Sequence, residues 1–317
     1  MNKKYVISFL AFEENNHKIF FYFCIMLQVK EYYWKRSVFV ELYGKLYIPD
    51  GQMKALIIMV HGLGEYSGCY DDRAEKFAAQ FVGFFIFDLR GNGHSSGKRG
   101  HASFKTIKDD LRFIIKIMQQ KFPSVPIVLY GHSMGGSIVL SYVVEENAGL
   151  QGVIASSPWV KLVRSLFPPL VCLVKWASYV VPWLTVSTGI RADQLSHGDI
   201  GTKSAKKDPL LHKKISVKLF TDLWNNGKMM LRNKHKLNIP LLLMHGTDDP
   251  VTSHQASKSF AQNVEGNVTF KKWHRMRHDL LKDDGNEVVF QYVMKWLSKQ
   301  IIKNGTVQDN SKLYRIS

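Results

Sequence analysis

Five short runs, Ala55–Val60, Phe84–Phe87, Ile127–Tyr130, Val153–Ala155 and Leu241–Met244, are apolar at nearly every position and are bounded by turn-forming residues. Such runs suit strands buried on both faces, as in a parallel sheet. Val268–Trp273 reads as a last strand. Between these runs lie segments of helical period. Phe104–Lys121 puts Ile107, Leu111, Ile114, Ile115 and Met118 on one stripe, and Ile138–Val144, Ser253–Asn263 and Glu287–Lys303 are further helices. Strand and helix alternate, so the pattern predicts an α/β fold with helices on both faces of a mostly parallel sheet. Ahead of it, Val38–Glu41 and Lys45–Ile48 read as two strands joined through Tyr43-Gly44 and closed by the turn tripeptide Pro49-Asp50-Gly51.

The alternation fails between Pro158 and Asn233. This stretch holds Trp159, Trp176, Trp183 and Trp224, and its most apolar part, Leu166–Leu184, is interrupted by Pro168, Pro169, Lys175 and Pro182. The prolines should break it into short helices rather than let it span a membrane. The expected organisation is an extension over 1–36, an α/β core over 37–157 and 234–303, a helical cap over 158–233 and a loose polar tail over 304–317. Within the extension, Tyr5–Phe12 and Ile19–Leu27 are apolar, and neither reaches the ~18 residues of a membrane span. We read Met26 as the start of the working chain, ahead of a weak membrane anchor and of a secretion signal. No small-x-small cleavage site follows the first run.

Composition narrows the function. The chain has 317 residues, 45% of them hydrophobic, which excludes a disordered or low-complexity protein. Cys24, Cys69 and Cys172 are too few for a disulfide framework and fit a reducing, cytoplasmic compartment. The formal charge of +17 comes mostly from scattered lysines, without aromatic–basic interleaving, a zinc finger or a basic helix. Nucleic acid is therefore not an expected partner. A solvated cationic face is the first reading of the charge, and attraction to anionic lipid or anionic substrates the second.

The sharpest chemical signal is Gly131-His132-Ser133-Met134-Gly135, directly after a strand and before an apolar helix. This is G-x-S-x-G in the strand–turn–helix setting of a nucleophile elbow, where Ser133 must stand on a tight turn and the flanking glycines avoid collision. A serine hydroxyl needs a base and a group to orient that base, and on this fold they follow in the order serine, acid, histidine. The acid should close the strand Leu241–Met244. Asp249 fits because Pro250-Val251 turns the chain back into the next helix, with Asp248 as the alternative. His278 fits as base, whereas His274 follows its strand too soon. His274 and His278 lack the glutamate of a zinc H-E-x-x-H motif, and neither metal nor cofactor is expected. The oxyanion donors expected are the N–H groups of Met134 and of Leu63, in the loop after Ala55–Val60. His61, at the exit of that strand, reads as a structural histidine.

Together, His61-Gly62-Leu63-Gly64-Glu65-Tyr66-Ser67-Gly68-Cys69-Tyr70, Asp88 to Gly97, the elbow with Gly136, Ser156-Ser157-Pro158, Asp208-Pro209-Leu210, Gly246 to Val251 and His278-Asp279 resemble the monoacylglycerol lipases and related lysophospholipases. The resemblance runs from about Val38 to Leu297. It implies an α/β-hydrolase core with a helical cap meeting lipid, a triad of Ser133, Asp249 and His278, and Leu63 and Met134 as oxyanion donors. Asn92 departs from the histidine common at that place. The expected reaction is hydrolysis of a single-chain lipid ester, with an aminopeptidase or small-ester hydrolase of the same fold, and then a non-catalytic binding protein, as alternatives. Trp159, Trp176 and Trp183 are the expected acyl-chain contacts, and the cap is the expected contact with a membrane surface.

Overall fold

In the computed structural model the described residues are 3–9, 13–14, 17–18, 23–146, 149–164, 167–197 and 208–302. The tail over 304–317, Leu166 and parts of both N-terminal apolar runs lie outside them. Nine strands make one sheet: β1 (Lys3–Phe9), β2 (Phe23–Ser37), β3 (Val40–Pro49), β4 (Ala55–Val60), β5 (Val82–Phe87), β6 (Ile127–His132), β7 (Gly152–Ser156), β8 (Leu241–Gly246) and β9 (Val268–Trp273), in the order β1-β2-β3-β5-β4-β6-β7-β8-β9. The pairs from β1 to β5 are antiparallel and those from β5 to β9 parallel. The apolar runs are the parallel strands, buried along their whole length in β4 to β8.

The N-terminal strands differ from the expectation. The hairpin joins β2 to β3 through Val38 and Phe39, and β3 runs unbroken through Tyr43-Gly44. Gly44 is not a turn residue but a position with no room for a side chain: a Cβ there would lie 2.8 Å from the Phe85 ring and 3.0 Å from the Trp34 indole. The sheet also begins earlier than position 37. Leu27 and Val29 of β2 are buried, and β1 runs antiparallel to Phe23–Val29 on its outer side.

Helices cover both faces. α1 (Asp71–Ala79) and α7 (Asn286–Leu297) pack on one, and α2 (Phe104–Lys121), α3 (Met134–Glu145), α5 (Val217–Arg232) and α6 (His254–Gln262) on the other. The five stripe residues of α2 are all buried, each contributing about 1.5–3 kcal/mol relative to exposure. Ser103 caps this helix by accepting the Thr106 N–H. Between β7 and β8, α4 (Pro168–Val180) packs against α5, and Thr185–Ser187 pairs with Lys214–Ser216 in a small ladder. Pro168 and Pro169 do not break α4; they open it, where their missing N–H groups have no intrahelical acceptor to lose. No helix among the described residues is long and apolar enough to cross a membrane.

The chain leaves β4 to one side, as β5, and returns on its other side as β6. Ligand sites in open α/β sheets form at the carboxyl ends of strands beside such a reversal.

Candidate active site

β6 delivers the chain into Ser133, whose backbone takes φ 54° and ψ −115°, a conformation side chains rarely adopt. The surroundings hold it there. Ser133 N–H donates to the Ser156 carbonyl at 2.9 Å, and its own carbonyl accepts from Ser137 and Trp159. The turn is so tight that a Cβ on Gly131 would lie 2.3 Å from the Gly135 carbonyl oxygen, and one on Gly135 2.0 Å from that of Val60. This packing explains the two glycines of the motif.

Ser133 Oγ lies 2.8 Å from His278 Nε2, and His278 Nδ1 lies 2.7 Å from Asp249 Oδ2. Asp249 stands on the loop after β8 and His278 on the loop after β9, so three strand ends and 145 residues of sequence converge on one hydrogen-bonded line. The Asp249 carboxylate takes five bonds. Oδ2 accepts from His278, from His245 Nε2 at 2.9 Å and from Thr252 Oγ1 at 2.8 Å. Oδ1 accepts from the backbone N–H groups of Val251 and Thr252 at 2.7 and 3.0 Å. Burial alone would raise its pKa, but the two imidazoles and their hydrogen bonds hold it well below the usual carboxylate range. Burial likewise disfavours a charged His278, yet the Asp249 carboxylate outweighs it and raises the imidazole pKa above its ordinary value. A carboxylate cannot donate, so His278 Nδ1 carries the proton and Nε2 is left to accept from the serine.

The alternatives separate cleanly. Asp248 is exposed and takes the Thr247 hydroxyl, and His274 is exposed at the end of β9. His61 is fully buried, accepts from Leu89 N–H at Nε2 and donates at Nδ1 to the Gly62 carbonyl. Asn92 bonds His212 Nε2 at 2.9 Å and the carbonyls of Leu89 and Arg90 within its turn.

The loop after β4 lies over the serine, since a Cβ on Gly62 would sit 3.4 Å from Ser133 Cβ. Gly62 N–H is committed to Glu65 Oε2 at 2.9 Å. Among the described residues the N–H groups of Leu63 and Met134 make no hydrogen bond, as donors awaiting a ligand oxygen would. Beside this loop sits a cluster that the sequence reading did not pick out. Glu65 also accepts from Tyr70 Oη at 2.6 Å and Lys282 Nζ at 2.8 Å, and Lys282 lies 2.8 Å from Asp279 Oδ2. Burial opposes charge on both carboxyls; Lys282 outweighs it, bringing Asp279 down to about 2 and Glu65 well below its usual range. Glu65, His132 and Asp279 offer three atoms of metal-ligand type within 4.8 Å of one another, but the ammonium of Lys282 already bridges the two carboxylates. His245 was also missed as a partner of the acid; its place four residues before Asp249 was the available signal.

The three tryptophans do not share one setting. Trp159 is buried, edge-on to Phe220 at 6.0 Å, whereas Trp176 and Trp183 are 63% and 54% exposed. The structure gives neither exposed ring a contact with the serine, acid or histidine.

The profile of the family described as serine aminopeptidase, S33, matches residues 51–285. The chain is 30% identical over 260 residues to an uncharacterized abhydrolase domain-containing protein of Dictyostelium discoideum, covering 81% of this chain but only 28% of that longer protein. It is 26% identical over 261 residues to the monoacylglycerol lipase of Mycolicibacterium smegmatis, covering 81% and 93% of the two chains. Among solved structures it resembles the monoacylglycerol lipase of Paleococcus ferrophilus with a TM-score of 0.75 and 28% identity, covering 82% of this chain and 99% of that one.

Proposed function

The chain belongs to the serine aminopeptidase S33 family of α/β-hydrolases, and from that premise we propose that it hydrolyses a carboxylic ester of a single-chain lipid, a monoacylglycerol or lysophospholipid, through an acyl-enzyme. The observation that carries the reading is the unbroken line Ser133–His278–Asp249 beside two backbone donors unpaired among the described residues. In this mechanism His278 Nε2 takes the Ser133 proton as Oγ attacks the ester carbonyl. The oxyanion is held by the N–H groups of Leu63 and Met134. Asp249 stabilises the imidazolium, which returns the proton to the leaving alcohol. Water, deprotonated by the same histidine, then releases the fatty acid.

The lipid assignment is supported by monoacylglycerol lipases among the relatives and by the apolar character of the segment over the strand ends. An aminopeptidase would need a free carboxylate near the site to hold the substrate amine. Asp193 is paired with Arg191, Asp208 with Tyr66 and Asp222 with Lys218, which disfavours that reading. Asp199 lies outside the described residues.

We further propose that the region over 158–233 acts as a cap and touches a membrane surface. Phe167, Leu170, Leu173, Trp176, Tyr179 and Trp183 are exposed on or beside α4, a larger apolar patch than single scattered residues make. Measuring turnover of monoacylglycerols, lysophospholipids and aminoacyl amides, by wild type and Ser133→Ala, tests the function. Ester turnover lost in the variant supports it; turnover of the amides alone overturns it.

A further inference from the structure

We propose that Lys282 is a positioning residue for this reaction: its ammonium ties the loop carrying His278 to the loop carrying the Leu63 N–H, by bridging Asp279 on the first and Glu65 on the second. The inference rests on the roles given above to His278 and Leu63.

The two loops come from distant parts of the chain, and Glu65 and Lys282 are 217 residues apart. Lys282 stands one turn after the histidine, its N–H bonded to the Asp279 carbonyl at 2.9 Å, and its Nζ is 2.8 Å from each carboxylate. Glu65 in turn holds the Gly62 N–H. This takes the Gly62 donor out of the site and fixes the peptide that precedes the Leu63 N–H. Displacement of an oxyanion donor by about 1 Å is enough to cost roughly 10²-fold in rate.

The choice of a cation follows from the neighbours of His278. Asp249 faces it from the loop after β8, Asp279 from its own loop, Glu65 from the loop after β4, and His132 from the elbow, with ring centroids 5.0 Å apart. His245 acts on it through Asp249. Arg73 of α1 lies near Asp279, but its guanidinium donates to the carbonyls of Cys69 and Leu281. Lys282 is thus the ammonium that directly neutralises two carboxylates flanking the base. Without it their negative charge would favour the imidazolium and draw protons into the site, including onto the unpartnered Nδ1 of His132.

A purely structural lysine and this one differ in a pH profile. The test measures kcat, KM and the acidic limb of kcat/KM on a soluble short-chain ester for wild type, Lys282→Met, Lys282→Arg and Asp279→Asn, with Ser133→Ala confirming that the turnover belongs to this site. Lys282→Met should lower kcat at least tenfold with KM changed less than about threefold, and move the limb up by about one pH unit. Lys282→Arg should return the limb toward wild type. Asp279→Asn should move it the opposite way, to lower pH, and decides the matter if Lys282→Met does not fold. A wild-type limb in Lys282→Met, an unrestored limb in Lys282→Arg, or an upward shift in Asp279→Asn overturns the proposal. Failure of the function reading would instead appear as undiminished turnover in Ser133→Ala.

Discussion

Replacing Asp249 by asparagine changes one atom, and the structure dictates where that atom goes. Oδ1 accepts two backbone N–H groups, which can only donate. The amide carbonyl must therefore take the Oδ1 place, leaving the NH2 in the Oδ2 place, against His278 Nδ1 at 2.7 Å and His245 Nε2 at 2.9 Å. Two donors now face each other unless His278 moves its proton to Nε2. That tautomer can no longer accept from Ser133. In a triad of this geometry the wrong tautomer lowers kcat by ~10⁴, which at 1.36 kcal/mol per decade is about 5.4 kcal/mol of transition-state stabilisation. Steady-state hydrolysis of a chromogenic ester measures it, with Asp248→Asn as control, expected within about threefold of wild type because that side chain is exposed and among the described residues bonds only Thr247. The Asp249 pKa is depressed on folding, so its stabilisation is present above the unfolded value of ~3.9 and is lost as pH falls through the lower folded value. The melting-temperature gap between wild type and variant should shrink below about pH 4. Asp249→Asn with more than a tenth of wild-type kcat, or Asp248→Asn as the weaker enzyme, would refute this reasoning.

Three further outcomes are expected. The acidic limb of kcat/KM should lie above ~6.5, because the raised pKa of His278 must be exceeded before it can accept a proton; a pH–rate profile flat down to pH 5 would contradict this. Trp176→Ser with Trp183→Ser should reduce co-sedimentation with anionic vesicles, and salt should reduce it further, since each lysine near such a surface contributes about 1 kcal/mol that screening removes; binding unchanged by both would remove the cap as the contact. A chain starting at Met26 keeps Leu27 and Val29 and most of β2 and should retain wild-type kcat, whereas loss of all vesicle binding on removing residues 1–25 would place the anchor there.

What the sequence disclosed follows from which interactions are local. The parallel strands β4 to β8 were readable because burial on both faces favours runs of apolar residues, and the elbow because its glycines are required within four residues of each other. Strand β2 was not. Its exposed face carries Glu31 and Lys35, and its first residues fall in the stretch read as preceding a working start at Met26. Gly44 misled because a glycine spared for the Phe85 and Trp34 rings looks, along the chain, like a glycine spared for a turn. Asp249 was separable from Asp248 by the Pro250-Val251 turn, but the five-fold grip on its carboxylate was not visible. Nothing near Lys282 in sequence announces Glu65 as its partner, since that pairing exists only once the two loops meet.

The most direct test of the account is release of fatty acid from a long-chain monoacylglycerol by the wild-type protein and by Ser133→Ala, whose hydroxyl loss leaves the backbone of the elbow in place. The account predicts ready turnover by the wild type and a loss of at least ~10⁴-fold in the variant, with only the rate that oxyanion stabilisation alone supports remaining. A variant within tenfold of the wild type would contradict it.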